Sequence, residues 1–239
     1  NVGTTMYRDG FLRSIKPPSN LEVANASAFL RAEKSTLSGL KLYNPWNWGG
    51  YLDNELYPDY RVFMDGRYIF TDLLKEVDEA EKNPVRFTKL MDKYGVELVL
   101  NMNTGRIVSF RGQTSWRSFD AYALPPSDWA LVYWDRQALI FVRRSKAPAA
   151  WIKLHEFRHI RPHDLRQTGL RVLSGWISIA EVSAEIGRYK REIGDPFESL
   201  VLEHWLDNFT KGLTPAAPAV PDGRKRPRPG SSKSAAPKP

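Results

Sequence analysis

The sequence contains no cysteine, which excludes disulfides, thiolate zinc sites and cysteine nucleophiles and fits cytoplasm and periplasm equally well. It has no run of the roughly 18 to 20 apolar residues that a membrane-crossing helix needs. No positively charged start with a short apolar stretch marks a signal peptide. Walker loop, dinucleotide-binding glycine fingerprint and G-x-S-x-G elbow are all missing, so the ordinary signatures of a self-contained soluble enzyme are absent. The chain begins at Asn1 and not at methionine, as expected of a piece cut from a longer polypeptide or of a processed product.

What is present suffices for a core: 42% of the 239 residues are hydrophobic, eight of them tryptophan, so most of the chain is expected to pack. The net charge of +8 is concentrated at the end, where Arg224, Lys225, Arg226, Arg228, Lys233 and Lys238 face only Asp222. Residues 213–239 therefore carry +5, and the remaining +3 is interleaved with acids. That is an ordinary solvated surface, and nucleic acid is not expected as a partner.

Residues 1–20 end in Lys16-Pro17-Pro18-Ser19-Asn20 and read as a linker. A first helix follows, carrying Leu21, Val23, Ala24, Ala28, Phe29 and Leu30. After Gly39, five strand-length apolar runs stand out: Leu40–Tyr43, Val62–Met64, Val96–Leu100, Ala130–Trp134 and Ala138–Val142. Thr71–Lys82 and Pro84–Tyr94 lie between them as helices, the second with proline in its first turn and Gly95 as its stop. Alternating helices and strands favour right-handed crossovers. The expected α/β domain, residues 21–147, thus has a mixed, mostly parallel sheet of about five strands, covered by helices on both faces. Asp135-Arg136 is too short for a crossover and closes an antiparallel edge hairpin. Residues 148–212 read as a C-terminal helical appendage, with helices at Pro148–Phe157, Asp164–Gly175, Ile177–Ile193 and Pro196–Phe209. The basic, proline-rich residues 213–239 are expected to be disordered.

The least ordinary stretch is Asn44-Pro-Trp-Asn-Trp-Gly-Gly-Tyr-Leu52, followed by Arg61-Val-Phe-Met-Asp-Gly-Arg67. Each half ends an expected strand, and neighbouring parallel strands bring such ends to one rim, where open α/β sheets place their ligand crevice. Two tryptophans and a tyrosine beside a glycine pair offer flat apolar faces next to approachable backbone, which suits sugar rings and peptides. Asp65 and Arg67 add a carboxylate and a fork-shaped donor for phosphate or carboxylate. The candidate substrate-binding set is Trp46, Trp48, Gly49, Gly50, Tyr51, Asp65 and Arg67. A purely structural reading stands beside it: buried tryptophans, glycines that admit a close helix, and an Asp65 that pairs with Arg67 or caps a turn.

The motif pair N-x-W-x-W-G-G-Y-L and V-F-x-D-G-R resembles the extracytoplasmic domain that follows the membrane helices in bacterial relatives of dolichyl-phosphate-mannose-dependent glycosyltransferases. More loosely, the likeness runs from residue 20 to residue 205, through Trp129-Ala-Leu-Val-Tyr-Trp-Asp and Ile140-Phe-Val-Arg. The first motif is also similar to the Trp-Trp-Asp-Tyr-Gly motif of the oligosaccharyltransferase catalytic subunit. Trp46, Gly50 and Tyr51 match there, but that family's aspartate falls on Trp48 and its inner tyrosine on Gly49. The resemblance implies a domain on the periplasmic side of the bacterial inner membrane. Its partners would be the membrane helices of the parent chain and a lipid-linked sugar or acceptor. The catalytic carboxylate would lie among the membrane helices, so this part would need no cofactor and have no catalysis of its own.

His155-Glu156-Phe157-Arg158-His159 is a formal H-E-x-x-H, in which two histidines one helical turn apart hold zinc and the glutamate activates water. Glu181 or Glu185 would supply a third ligand. Arg158 and Arg161 bring positive charge to such a site, and Pro162 disfavours helix just beyond it. A zinc hydrolase is thus one alternative. A protein-interaction module built on residues 148–210 is the other.

Overall fold

The computed structural model describes residues 23–66, 71–110, 113–118 and 123–213. The linker at 1–20, Arg67 and residues 214–239 of the tail lie outside these. The strands in chain order are β1 (Leu42–Tyr43), β2 (Leu98–Met102), β3 (Gly105–Phe110), β4 (Gln113–Ser118), β5 (Trp129–Trp134) and β6 (Ala138–Arg143).

Four of them form one mixed sheet in the order β1-β2-β6-β5. Only β1 and β2 run parallel, whereas β2 with β6 and β6 with β5 are antiparallel. The expected mostly parallel sheet of about five strands is corrected here. The cause lies in the connections: the passage from β1 to β2 contains helices, whereas β5 and β6 are joined by residues 135–137 alone, which makes them antiparallel neighbours. Val62–Met64 is not a strand. Its Phe63 N–H and Met64 carbonyl are bonded to the Asn44 side chain instead of to a ladder. The sequence reading also passed over β3 and β4, an antiparallel pair separate from the main sheet. The expected edge hairpin is present, with Asp135 Oδ1 accepting from the N–H groups of Gln137 and Ala138, each at 2.8 Å.

Along the strands, side chains alternate between two cores. Val99, Leu139, Phe141, Trp129 and Leu131 face one cluster, and Leu98, Leu100, Ile140, Val142, Ala130 and Val132 the other. This is the period of two that a sheet covered on both faces requires. The register of β5 shifts between Leu131 and Tyr133, a bulge that lets Tyr133 and Trp134 keep opposite faces.

Nine helices cover the sheet among the described residues: α1 (Ala24–Ala32), α2 (Lys34–Leu37), α3 (Gly49–Leu56), α4 (Thr71–Glu81), α5 (Pro84–Tyr94), α6 (Ala149–His155), α7 (Leu165–Leu173), α8 (Ile179–Glu192) and α9 (Pro196–Leu213). Leu30, Leu52 and Ile152 put α1, α3 and α6 on one face. Val77, Phe87, Val182 and Leu202 put α4, α5, α8 and α9 on the other. The helices after residue 148 therefore share their buried side chains with the sheet. Local chemistry sets many ends. Asn83 caps α5 by accepting from Val85 and Arg86 N–H, and Gly95 ends it at a left-handed φ of 63°. Ser178 and Glu181 form a reciprocal capping box at the start of α8. Among the described residues no helix is long and apolar enough to cross a membrane.

Candidate functional site

β1 ends at Tyr43, and Asn44 follows with no exposed surface. A buried amide must satisfy both its donor and its acceptor sides, and this one does so across the gap to the second motif. Its Nδ2 donates to the carbonyls of Pro45 and Met64, both at 2.9 Å, and its Oδ1 accepts from Phe63 N–H at 2.7 Å. The structure thereby joins the two motif segments through Asn44, which heads the first motif but was not in the candidate substrate-binding set. A carboxamide directly after a strand is the signal that was available.

Trp46, Asn47 and Trp48 make one 3-10 turn, which leads straight into α3 at Gly49. Gly49 lies against the second segment so closely that a Cβ there would be 2.1 Å from the Met64 carbonyl oxygen and 2.5 Å from Asp65 Cα. Only glycine permits that contact. Gly50 is exposed, and a Cβ on it would meet nothing within 4 Å. Trp46 is half-buried and packs against one core, whereas Tyr51 is half-buried against the other.

Trp48 is 2% exposed, and its Nε1 has no hydrogen-bond partner among the described residues. Its ring is part of the interior and offers no face to a ligand. Asp65 is 6% exposed beside Gly49. The structure thus brings Gly49 against the Met64–Asp65 backbone with Gly50 open beside it, while Trp46 and Tyr51 pack against opposite cores and Trp48 is interior. Arg67 lies outside the described residues.

The second segment is anchored from behind. Tyr60 donates its hydroxyl to Leu30 carbonyl at 2.6 Å, and burial together with Asp59 and Glu33 pushes its phenol far up. A cavity of about 410 Å³ runs under Pro58–Phe63, lined by Lys41, Arg61 and Tyr94 among others. No family model, curated protein or solved structure matches the chain significantly. Function is therefore argued from the geometry.

The H-E-x-x-H segment is not a helix. α6 ends at His155, and Glu156 is extended at φ −65° and ψ 129°. The stop has a cause: Arg188 donates to the carbonyls of Leu154, His155 and Glu156, which would otherwise await the next helical turn. The two histidines consequently diverge. His155 stacks on Trp151 at 4.4 Å and lies 3.8 Å from Glu33, while Glu156 is held by the Arg144 guanidinium. Glu185 does reach this segment, but it accepts backbone N–H bonds from Arg158, His159 and Ile160 at 3.0, 2.8 and 2.8 Å. Among the described residues no cluster of three His, Cys, Asp or Glu side chains is placed to hold a metal. The helical premise of the zinc reading fails.

Proposed function

We propose that this chain is the extracytoplasmic domain of a membrane glycosyltransferase-like protein, shaping the acceptor or lipid-linked sugar site and not catalytic alone. The observation that carries the reading is the junction of the two motif segments through Asn44 and Gly49. It supports the reading by fixing the Asp65 loop against Gly49, next to open backbone at Gly50, in the segment that also carries the half-buried Trp46 and Tyr51. Aromatic faces beside approachable backbone suit the apolar face of a sugar ring. The partners would be the membrane helices of the parent chain, on the periplasmic side of the inner membrane.

The test is glycosyl transfer by the full-length parent in membranes. Trp46→Ala with Tyr51→Ala is expected to lower transfer at least about 100-fold by misplacing the reacting group, while the parent stays at its normal level in the membrane. Transfer at the wild-type rate would reject the reading.

A second reading, a protein-interaction module, is favoured by Leu170, Leu173 and Trp176, which are 47, 61 and 81% exposed along one side of α7 and the turn after it. Capture of a partner from a membrane extract, lost on Trp176→Ala, would support it; equal capture by the variant would not.

A further inference from the structure

We infer that the cleft between α6 and α8 binds a phosphate-bearing ligand, gripped by Lys153, Arg158 and Arg191. The cleft encloses about 670 Å³, and five cationic side chains face three carboxylates along its walls. What matters is which of these charges are already matched.

All three carboxylates are engaged by the fold, although Glu181 remains exposed. Glu156 is held by Arg144; Glu181 Oε2 accepts from the Ser178 N–H at 2.7 Å and hydroxyl at 2.8 Å; Glu185 accepts three backbone N–H groups. Two of the cations are equally committed. Arg144 bonds Glu156 and the Pro126 carbonyl, and Arg188 caps α6 while lying 4.2 Å over the Phe157 ring. The other three, Lys153, Arg158 and Arg191, are exposed and have no ion-pair or hydrogen-bond acceptor among the described residues.

Three cations without an ion pair or hydrogen-bond acceptor among the described residues, one of them Arg158 within the field of Glu181, focus positive potential in one concavity. Two of them are planar forks that match phosphate oxygens two at a time. A Cβ at Gly187 would lie 3.4 Å from Arg191 Nη1, so the missing side chain leaves that guanidinium its place. His159 lines the same cleft, and its buried Nδ1 has no hydrogen-bond partner among the described residues. Spread over three positions, this charge suits a diphosphate or a phosphodiester better than a single carboxylate. A soluble phosphate and a lipid headgroup would present the same chemistry to this grip. This site is separate from the Trp46 rim and does not rest on the glycosyl-transfer reading.

The probe is inorganic pyrophosphate, titrated into the whole chain by calorimetry at low and moderate salt. Three proteins are compared: the wild type, Lys153→Gln/Arg158→Gln/Arg191→Gln, and a tail variant with Arg224, Lys225, Arg226 and Arg228 all changed to Gln. The wild type and tail variant are expected to bind alike, and the cleft variant at least about tenfold more weakly with an unchanged melting temperature. No binding by the wild type, equal binding by the cleft variant, or loss confined to the tail variant would overturn the inference. Vesicles of phosphatidylglycerol in phosphatidylcholine then identify the source. Vesicle binding that pyrophosphate displaces assigns the grip to a lipid headgroup, and pyrophosphate binding without vesicle binding assigns it to a soluble phosphate.

Discussion

Removing the Glu185 carboxylate should damage this fold more than almost any other single polar change. Its two oxygens collect the N–H groups of Arg158, His159 and Ile160, and it is 8% exposed on α8. Hydrogen bonds to a charged acceptor contribute about 1.5 to 3 kcal/mol each, and stranded donors in the interior carry their own desolvation cost. The three share one side chain and are not additive, so Glu185→Ala is expected to cost about 3 to 5 kcal/mol. Glu185→Gln should cost less, about 1 to 2 kcal/mol. Oε1 alone serves His159 and Ile160, so an amide oxygen there keeps two bonds, while its NH₂ faces the Arg158 donor. Urea unfolding followed by tryptophan fluorescence reads both, provided the slope with denaturant is unchanged. An alanine variant within about 1 kcal/mol of wild type would refute the reasoning, because that is the range of an ordinary surface change.

Other outcomes follow from the same geometry. Burial raises the Glu185 carboxyl above its usual value, against the pull of its three N–H donors. The folded state therefore binds its proton more readily than the unfolded state does. The stability of wild type relative to Glu185→Gln should be greatest below about pH 4.5 and fall as pH rises through the raised value, measured as the difference in unfolding free energy between pH 4 and pH 7. Gly49→Ala, whose methyl would overlap the Met64 carbonyl, should cost about 3 kcal/mol or more, whereas Gly50→Ala should be neutral or stabilise α3 by about 0.5 to 1 kcal/mol. A thermal melt in which both variants behave alike would contradict the close contact at Gly49. Asn44→Ala strands the Phe63 donor and the Met64 acceptor and should cost about 2 to 4 kcal/mol, with faster proteolysis within residues 60–66 as the accompanying sign.

Much of the helical layer was legible because its signals are local. Pro84 with Gly95 bounded α5 to the residue, and the breaks before α7, α8 and α9 fell within a few residues of the turn signals. The sheet was legible as strands but not as a topology. Buried apolar runs such as Ala130–Trp134 look alike in parallel and antiparallel surroundings, and strand order depends on contacts far apart in sequence. β3 and β4 were missed because Arg111-Gly112 is not one of the Asn-Gly or Asp-Gly pairs that mark a two-residue hairpin, and the flanking residues do not alternate cleanly. At the rim, the glycine pair was readable as a point of close approach but not which glycine makes it. Gly49 does, and Gly50 stays open. Burial of the tryptophans was one of the two readings, but which indole is interior was not legible, because a 3-10 turn sets the two into different packing. The H-E-x-x-H pattern misled because the stop of α6 is imposed by Arg188, more than thirty residues further on.

The measurement closest to the central claim is photo-crosslinking of the full-length parent in its membrane with a diazirine-bearing lipid-phosphate sugar, adducts being located by mass spectrometry. Adducts should fall in residues 44–51 and 60–66 and disappear when the unmodified lipid-linked sugar is in excess. Adducts confined to other segments, with the two joined loops untouched, would contradict the assignment of this rim to a glycosyl-transfer site.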